Sequence, residues 1–160
     1  MDTIEANISK LGYALPDEAS PVANYVPAVS VGETGLVYTS GHIPRRDDGT
    51  FITGKLGADI SIEDAYDAAQ RTALSLLGTL KATITDLDRI ERIVKLLTMV
   101  NCTPNFADHS SVANGASDLL VEIFGDSGRH ARSAVGMSAL PMGVCVEIEM
   151  IVQVSNYGNS

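Results

Sequence analysis

Apolar residues recur at every second position from Val144 through Val146, Ile148 and Met150 to Val152. Side chains two apart share one face of a strand, so this spacing predicts a strand with one apolar face and with Glu147 and Glu149 on the other. The preceding segment alternates too: Val135, Met137 and Ala139 form its apolar set, and Arg132, Ala134, Gly136 and Ser138 the other. Leu140-Pro-Met-Gly143 supplies turn residues between them. In a hairpin, cross-strand neighbours share a face, which would place Arg132 and the two glutamates on one side, away from the main core.

Upstream the period becomes helical. Ser61-Ile-Glu-Asp64 opens a long helix whose apolar stripe runs Ala65, Ala68, Ala69, Ala73, Leu76, Leu77 and Leu80. Its alanine-rich start suggests close approach to a sheet. A second helix is predicted over 111–124, with Val112, Ala116, Leu119, Leu120 and Ile123 inward, ended by Gly125-Asp-Ser-Gly128. Between the helices, residues 90–100 are nearly continuous in apolar character, as expected for a strand covered on both faces. One face would meet the helices. The other needs a cover that a single layer cannot supply, which implies an oligomer.

Residues 28–31 and 36–40 read as strands split by the hairpin turn Gly32-Glu-Thr-Gly35. Residues 43–56 read as a loop with a short strand at 51–53, and 12–24 as an extended lead-in. Asp2-Thr-Ile-Glu5 has the spacing of a helix cap, and Ile4, Ile8 and Leu11 give a short amphipathic helix within an N-terminal extension over 1–19. The order strand, strand, strand, helix, strand, helix, strand, strand specifies an α+β domain, with two helices on one face of a mixed or antiparallel sheet. No repeat or internal boundary interrupts it, so 1–160 is read as a single domain.

The chain is long enough to bury a core without disulfides or a metal. No apolar run approaches a membrane span, and Met1-Asp-Thr-Ile-Glu5 lacks the layout of a signal peptide. A cytoplasmic protein without a membrane partner is expected. Cys102 and Cys145 form no CxxC pair and are read as reduced, buried, small apolar residues rather than nucleophiles. His42, His109 and His130 show no ligand spacing and no His/Cys/Asp cluster suggests a metal; His42 reads as a capping or solvated residue. Eleven basic residues face twenty acidic ones, for a net charge of −9. Nucleic-acid binding runs on clustered Lys and Arg, so no nucleic-acid partner is expected. The one adjacent basic pair, Arg45-Arg46, runs into Asp47-Asp48-Gly49 and reads as a solvated turn.

The pattern Arg132-Ser-x-Val, Leu140-Pro, Val144-x-Val-Glu-Ile-Glu149 resembles the C-terminal part of the RidA/YjgF (reactive intermediate deaminase) family. Val37-Tyr-Thr-Ser-Gly-His-Ile-Pro44 is similar to that family's strand ending Thr-Ser-Gly-x-Ile-Pro. The runs from His109 to Asp118 and from Gly128 to Gly136 are closer to a branch labelled endoribonuclease or L-PSP-like. The resemblance covers roughly residues 20 to 154. It implies a chorismate-mutase-like (bacillus type) fold, a homotrimer with sites in the clefts between subunits, and hydrolysis of reactive 2-imino or 2-enamino acids to 2-oxo acids and ammonia without a cofactor. A non-catalytic member that binds a small carboxylate is the alternative, and a ribonuclease a more distant one.

On the same basis Arg132 corresponds to the arginine that holds the substrate carboxylate, a role suited to the planar donor fork of guanidinium. The residues alone leave it equally open to a salt bridge with Glu147 or Glu149. Glu147 corresponds to the acid that positions or activates water, and a partly buried carboxylate there would have a raised pKa. Without the resemblance it reads as a solvated edge charge. Tyr25 corresponds to a tyrosine that closes over the ligand, although Ala23-Asn-Tyr-Val26 departs from the family's Gly-Pro-Tyr. Gly41 corresponds to a glycine where backbone approaches the ligand. Asn114 corresponds to an asparagine framing the pocket, or is a solvated mid-helix residue. Ala134 stands where many relatives carry a cysteine, which removes a thiol and widens the pocket.

Overall fold

The computed structural model describes residues 2–17 and 23–155. Three helices, α1 (Ile4–Lys10), α2 (Ile62–Ile84) and α3 (His109–Phe124), accompany strands β1 (Ala28–Val31), β2 (Leu36–Thr39), β3 (Ile90–Asn101), β4 (Ala131–Met137) and β5 (Val146–Val154). The strands form one mixed sheet in the order β1-β2-β5-β3-β4. The α+β class is as the sequence predicts. Among the described residues no helix is long and apolar enough to cross a membrane.

Local chemistry sets the elements. Ser61 caps α2, its hydroxyl accepting from the Asp64 backbone N–H at 3.0 Å. All seven stripe residues anticipated on α2 are fully buried. Helix α3 begins two residues before the expected start, and its five expected inward residues are buried. Gly115 permits the close crossing of the two helices, since a Cβ there would lie 2.1 Å from the Tyr66 carbonyl oxygen. Thr3, rather than Asp2, caps α1, accepting from Ala6 N–H at 3.2 Å. Asp2 instead pairs with Lys10. The short strand expected at 51–53 is not formed. Arg45–Phe51 and Thr53–Val144 make single bridges, because the chain turns at Asp48-Gly49 and bends again at Gly54, where φ is 141°. The lead-in expected over 12–24 lies partly outside the described residues.

The main correction concerns β4 and β5, which are not a hairpin. β4 pairs in parallel with β3, and β5 pairs antiparallel with the opposite edge of β3. The reason is the βαβ unit β3–α3–β4: a helical crossover returns the chain alongside β3 in the same direction. Residues 138–145 then cross the end of β3, where Asn101 N–H donates to Cys145 O at 3.0 Å.

Helices α2 and α3 cover one face, burying Val146, Ile148, Met150 and Val152 of β5 with Leu96 and Val100 of β3. The other face carries Val29, Tyr38, Leu97, Met99, Val135 and Ile151 among Glu147, Glu149 and Gln153, as the strand registers require. Val29, Tyr38 and Val135 are exposed there.

Candidate functional site

Strand register assigns the faces. Arg132 lies opposite Leu96 of β3, which in turn lies opposite Met150 of β5, so its side chain is on the helix-covered side. Glu147 lies opposite Met99, three residues along β3, and an odd separation means the other face. Val135 and Glu147 share that open face, while Arg132, Ala134 and Gly136 look toward α3. The expected pairing of Arg132 with the glutamates is therefore absent among the described residues of the chain. Two strand spacings of about 4.8 Å and three residues of about 3.3 Å put the two Cα atoms roughly 14 Å apart, with side chains diverging.

Arg132, half-buried on the edge strand, donates from Nη1 to Asn114 Oδ1 at 2.9 Å and to Ser117 Oγ at 3.1 Å. Asn114 and Ser117 are three apart on α3 and so present both acceptors to one guanidinium. Ser117 Oγ lies 2.9 Å from His130 Nε2, and His130 Nδ1 lies 2.6 Å from the Gly128 carbonyl oxygen. A carbonyl only accepts, so the His130 proton is on Nδ1 and Nε2 accepts from the Ser117 hydroxyl. That hydroxyl's oxygen is then free to accept from Arg132. Burial first, and the Arg132 charge second, hold His130 below the ordinary imidazole range. Among the described residues Arg132 has no carboxylate partner, and Nη1 is its only hydrogen-bonded nitrogen.

Ala134 follows on the same face, opposite Thr98. The Thr98 hydroxyl is buried without a hydrogen-bond partner among the described residues. The small side chain at 134 thus borders a buried polar atom in need of a donor or acceptor.

On the open face Glu147 is half-buried, and burial, then the Glu149 charge, raises its pKa. Its carboxylate lies against Gly41, where a Cβ would be 2.0 Å from Oε1. Gly41 is therefore required for close approach, and within this chain the group that approaches is Glu147. The segment bearing Tyr25 is tied nearby: Ser40 Oγ donates to Val26 O at 2.7 Å, and Ser40 N–H donates to Pro27 O at 2.8 Å. Tyr25 itself is 49% exposed. His42 is neither capping nor solvated. It is 5% exposed, with Nδ1 2.9 Å from Ser40 O and Nε2 2.8 Å from Thr79 Oγ1.

The candidate residues fall into two groups, Arg132, Asn114 and Ala134 on one side of the sheet and Glu147 and Gly41 on the other, with Tyr25 exposed on the segment tied to Ser40. Sequence reasoning missed Ser117, His130 and Thr98. The signal for Ser117 was its three-residue spacing from Asn114, and for His130 its two-residue spacing from Arg132. Nothing in the sequence marks Thr98. Among the described residues no group of three His, Cys, Asp or Glu side chains could hold a metal ion.

A family model described as "YjgF/chorismate_mutase-like, putative endoribonuclease" matches residues 5–153. Protein TCP17 of Trypanosoma cruzi is 43% identical over 154 residues, covering 96% of this chain and 95% of its own length. The crystal structure of Atu1372 from Agrobacterium tumefaciens, a protein of unknown function, is 40% identical with a TM-score of 0.87 over 95% of this chain and 92% of its own. A Shewanella oneidensis MR-1 structure described as a "putative endoribonuclease" is 31% identical, with a TM-score of 0.90 over 96% of this chain and 100% of its own.

Proposed function

The chain belongs to the YjgF/chorismate-mutase-like family, and from that premise we propose that it hydrolyses small 2-imino or 2-enamino acids to 2-oxo acids and ammonia in a cleft between protomers. The observation that carries this reading is the Arg132 guanidinium, half-buried and bonded only to the neutral side chains of Asn114 and Ser117. A half-buried cation held by neutral acceptors, with Nε and Nη2 unbonded among the described residues, is a ready fork for a ligand carboxylate. Asn114 and Ser117 fix the plane of that fork, and neutral His130 adds no competing charge.

The acid needed to handle water is on the opposite face, too far for one small ligand to reach both. A ring of three protomers supplies the remedy, because its heterologous interfaces set one edge of each chain against a different surface of the next. The half-site of Arg132, Asn114 and Ala134 would then meet the half-site of Glu147, Gly41 and Tyr25 from a neighbour. The exposed apolar side chains of the open face are the surface such a ring would cover. With the substrate held, Glu147 accepts a proton from water as it adds to the imine carbon. A carboxylate of raised pKa then returns that proton to the departing nitrogen.

The test is ammonia and oxo-acid release from freshly generated 2-aminoacrylate. A folded protein that gives no acceleration over buffer refutes the activity. Arg132→Ala and Glu147→Gln should each be inactive alone, whereas trimers reassembled from an equal mixture should regain about one quarter of the sites, since each needs an intact arginine from one chain and an intact glutamate from the next. No recovery would place the site within a single chain and sink the shared-cleft reading. Ala134 favours a second reading, a protein that binds a small carboxylate without turnover. Calorimetry with a 2-oxo acid, showing binding without hydrolysis of the imine, distinguishes it. The acidic net charge argues against RNA as substrate.

A further inference from the structure

One nucleophile outside both half-sites has a base beside it. Cys102, just beyond β3, places Sγ 3.5 Å from Nε2 of His109, the first residue of α3. The imidazole is held edge-on against Phe106, with ring centroids 5.4 Å apart and planes at 82°. Above the pair runs Gly136 of β4, an exposed residue. A Cβ there would fall 2.6 Å from His109 Nε2 and 2.8 Å from Cys102 Sγ. The missing side chain therefore lets thiol and imidazole sit directly beneath an exposed strand, separated from solvent by one glycine. Cys145 has no such setting: it is wholly buried, and burial pushes its thiol up to about 11.

We infer that Cys102 and His109 form a thiol–imidazole pair that captures small, soft carbon electrophiles covalently, a modification site separate from the Arg132 anchor. With the His109 proton on Nδ1, Nε2 is oriented to accept the Cys102 proton. The sulfur then attacks the electrophilic carbon. With iodoacetamide as probe, the S–C bond forms, the C–I bond breaks and iodide leaves; the proton passes to His109 and then to water. Access is narrow, with Cys102 8% exposed, so the site selects compact reagents. It lies four residues along β4 from Arg132, about 13 Å at 3.3 Å per residue, and does not depend on what that arginine binds.

The experiment is alkylation of the native, full-length protein by iodoacetamide at neutral pH, followed by intact mass and peptide mapping. A single adduct on Cys102 is expected, formed on the order of 100-fold faster than any on Cys145. His109→Phe, which keeps a ring against Phe106 but removes the base, should slow Cys102 labelling about tenfold or more. Gly136→Ala, which closes the gap, should also slow it, and Cys145→Ala should leave it unchanged. Circular dichroism checks that each variant is folded. Equal labelling of both cysteines, no labelling of Cys102 in the native wild-type protein, or an unchanged rate in folded His109→Phe would each overturn the inference. The wild-type comparison needs no variant to fold.

Discussion

Replacing Ser117 by alanine tests the chain of hydrogen bonds behind Arg132. The change removes an acceptor for Nη1 at 3.1 Å and the donor to His130 at 2.9 Å, leaving Asn114 as the guanidinium's remaining protein partner among those described. A hydrogen bond to a charged group contributes about 1.5–3 kcal/mol and one between neutral groups about 1 kcal/mol. These groups are half-buried, so water replaces part of each, and a total near 2 kcal/mol is expected. For a chain of this size that lowers Tm by about 4–8 °C. Binding should suffer as well, because a fork held at one point rather than two loses orientation; Kd for a 2-oxo acid should rise about tenfold, or about 1.4 kcal/mol. Thermal unfolding and calorimetry read the two effects, and nitrogen NMR of His130 reads the tautomer, expected as Nδ1–H in the wild type. A Ser117→Ala protein within about 0.5 kcal/mol of wild type and with unchanged affinity would refute the network, as would a wild-type His130 carrying its proton on Nε2.

Four further outcomes follow from the same geometry. Because His130 is held below 6.5 in the fold, the unfolded chain takes up the proton first; its contribution is fully present above about pH 6.5 and is lost as pH falls through the folded value, with a slope of at most about 1.4 kcal/mol per pH unit that His130→Phe should abolish. Glu147 has the opposite sign: its pKa is raised above 4.5, so its contribution is present at lower pH and lost as pH rises, and Glu147→Gln should raise Tm at pH 7 with a gain that fades toward pH 4. Gly41→Ala meets only the flexible end of Glu147, so stability should change by less than about 1 kcal/mol while imine turnover falls about tenfold or more. Gly115→Ala meets the backbone carbonyl of Tyr66, which cannot swing aside, and should lose about 1–3 kcal/mol in chemical denaturation with the site chemistry spared.

What the sequence revealed tracks the range of the forces involved. The α2 stripe, the Ser61 cap and the alternation in β5 are local, set by side-chain period and by hydrogen bonds within a turn, and each is found where expected. Strand pairing is not local. The Leu140-Pro-Met-Gly143 segment has turn residues, and nothing within it distinguishes a hairpin from a crossing over the end of a third strand. The distinction is carried by α3, because a helix between two strands favours a parallel neighbour. The slip also inverted β4: Val135 is 41% exposed on the open face, whereas Arg132 faces the helices and meets Asn114. Ser117 and His130 were missed for a related reason, since each acquires a role only once α3 lies beside β4.

Placing β3 between β4 and β5 changes what Arg132 and Glu147 can mean. In a hairpin the two would have shared a face, and an ion pair between them would have competed with any ligand. On opposite faces neither neutralises the other, which leaves the guanidinium with neutral partners and the carboxylate with a raised pKa. Both conditions suit groups that await something from outside the protomer. On the proposed shared cleft, assembly and chemistry are thereby coupled. A substitution that disrupts the open apolar face, such as Val135→Asp, across Met99 from Glu147, should abolish the proposed imine hydrolysis to the extent that it dissociates the proposed oligomer. Chains that remain folded as monomers should keep the Arg132–Ser117–His130 bonds yet show no turnover. Full activity in a verified monomer would separate the two half-sites from the reaction altogether.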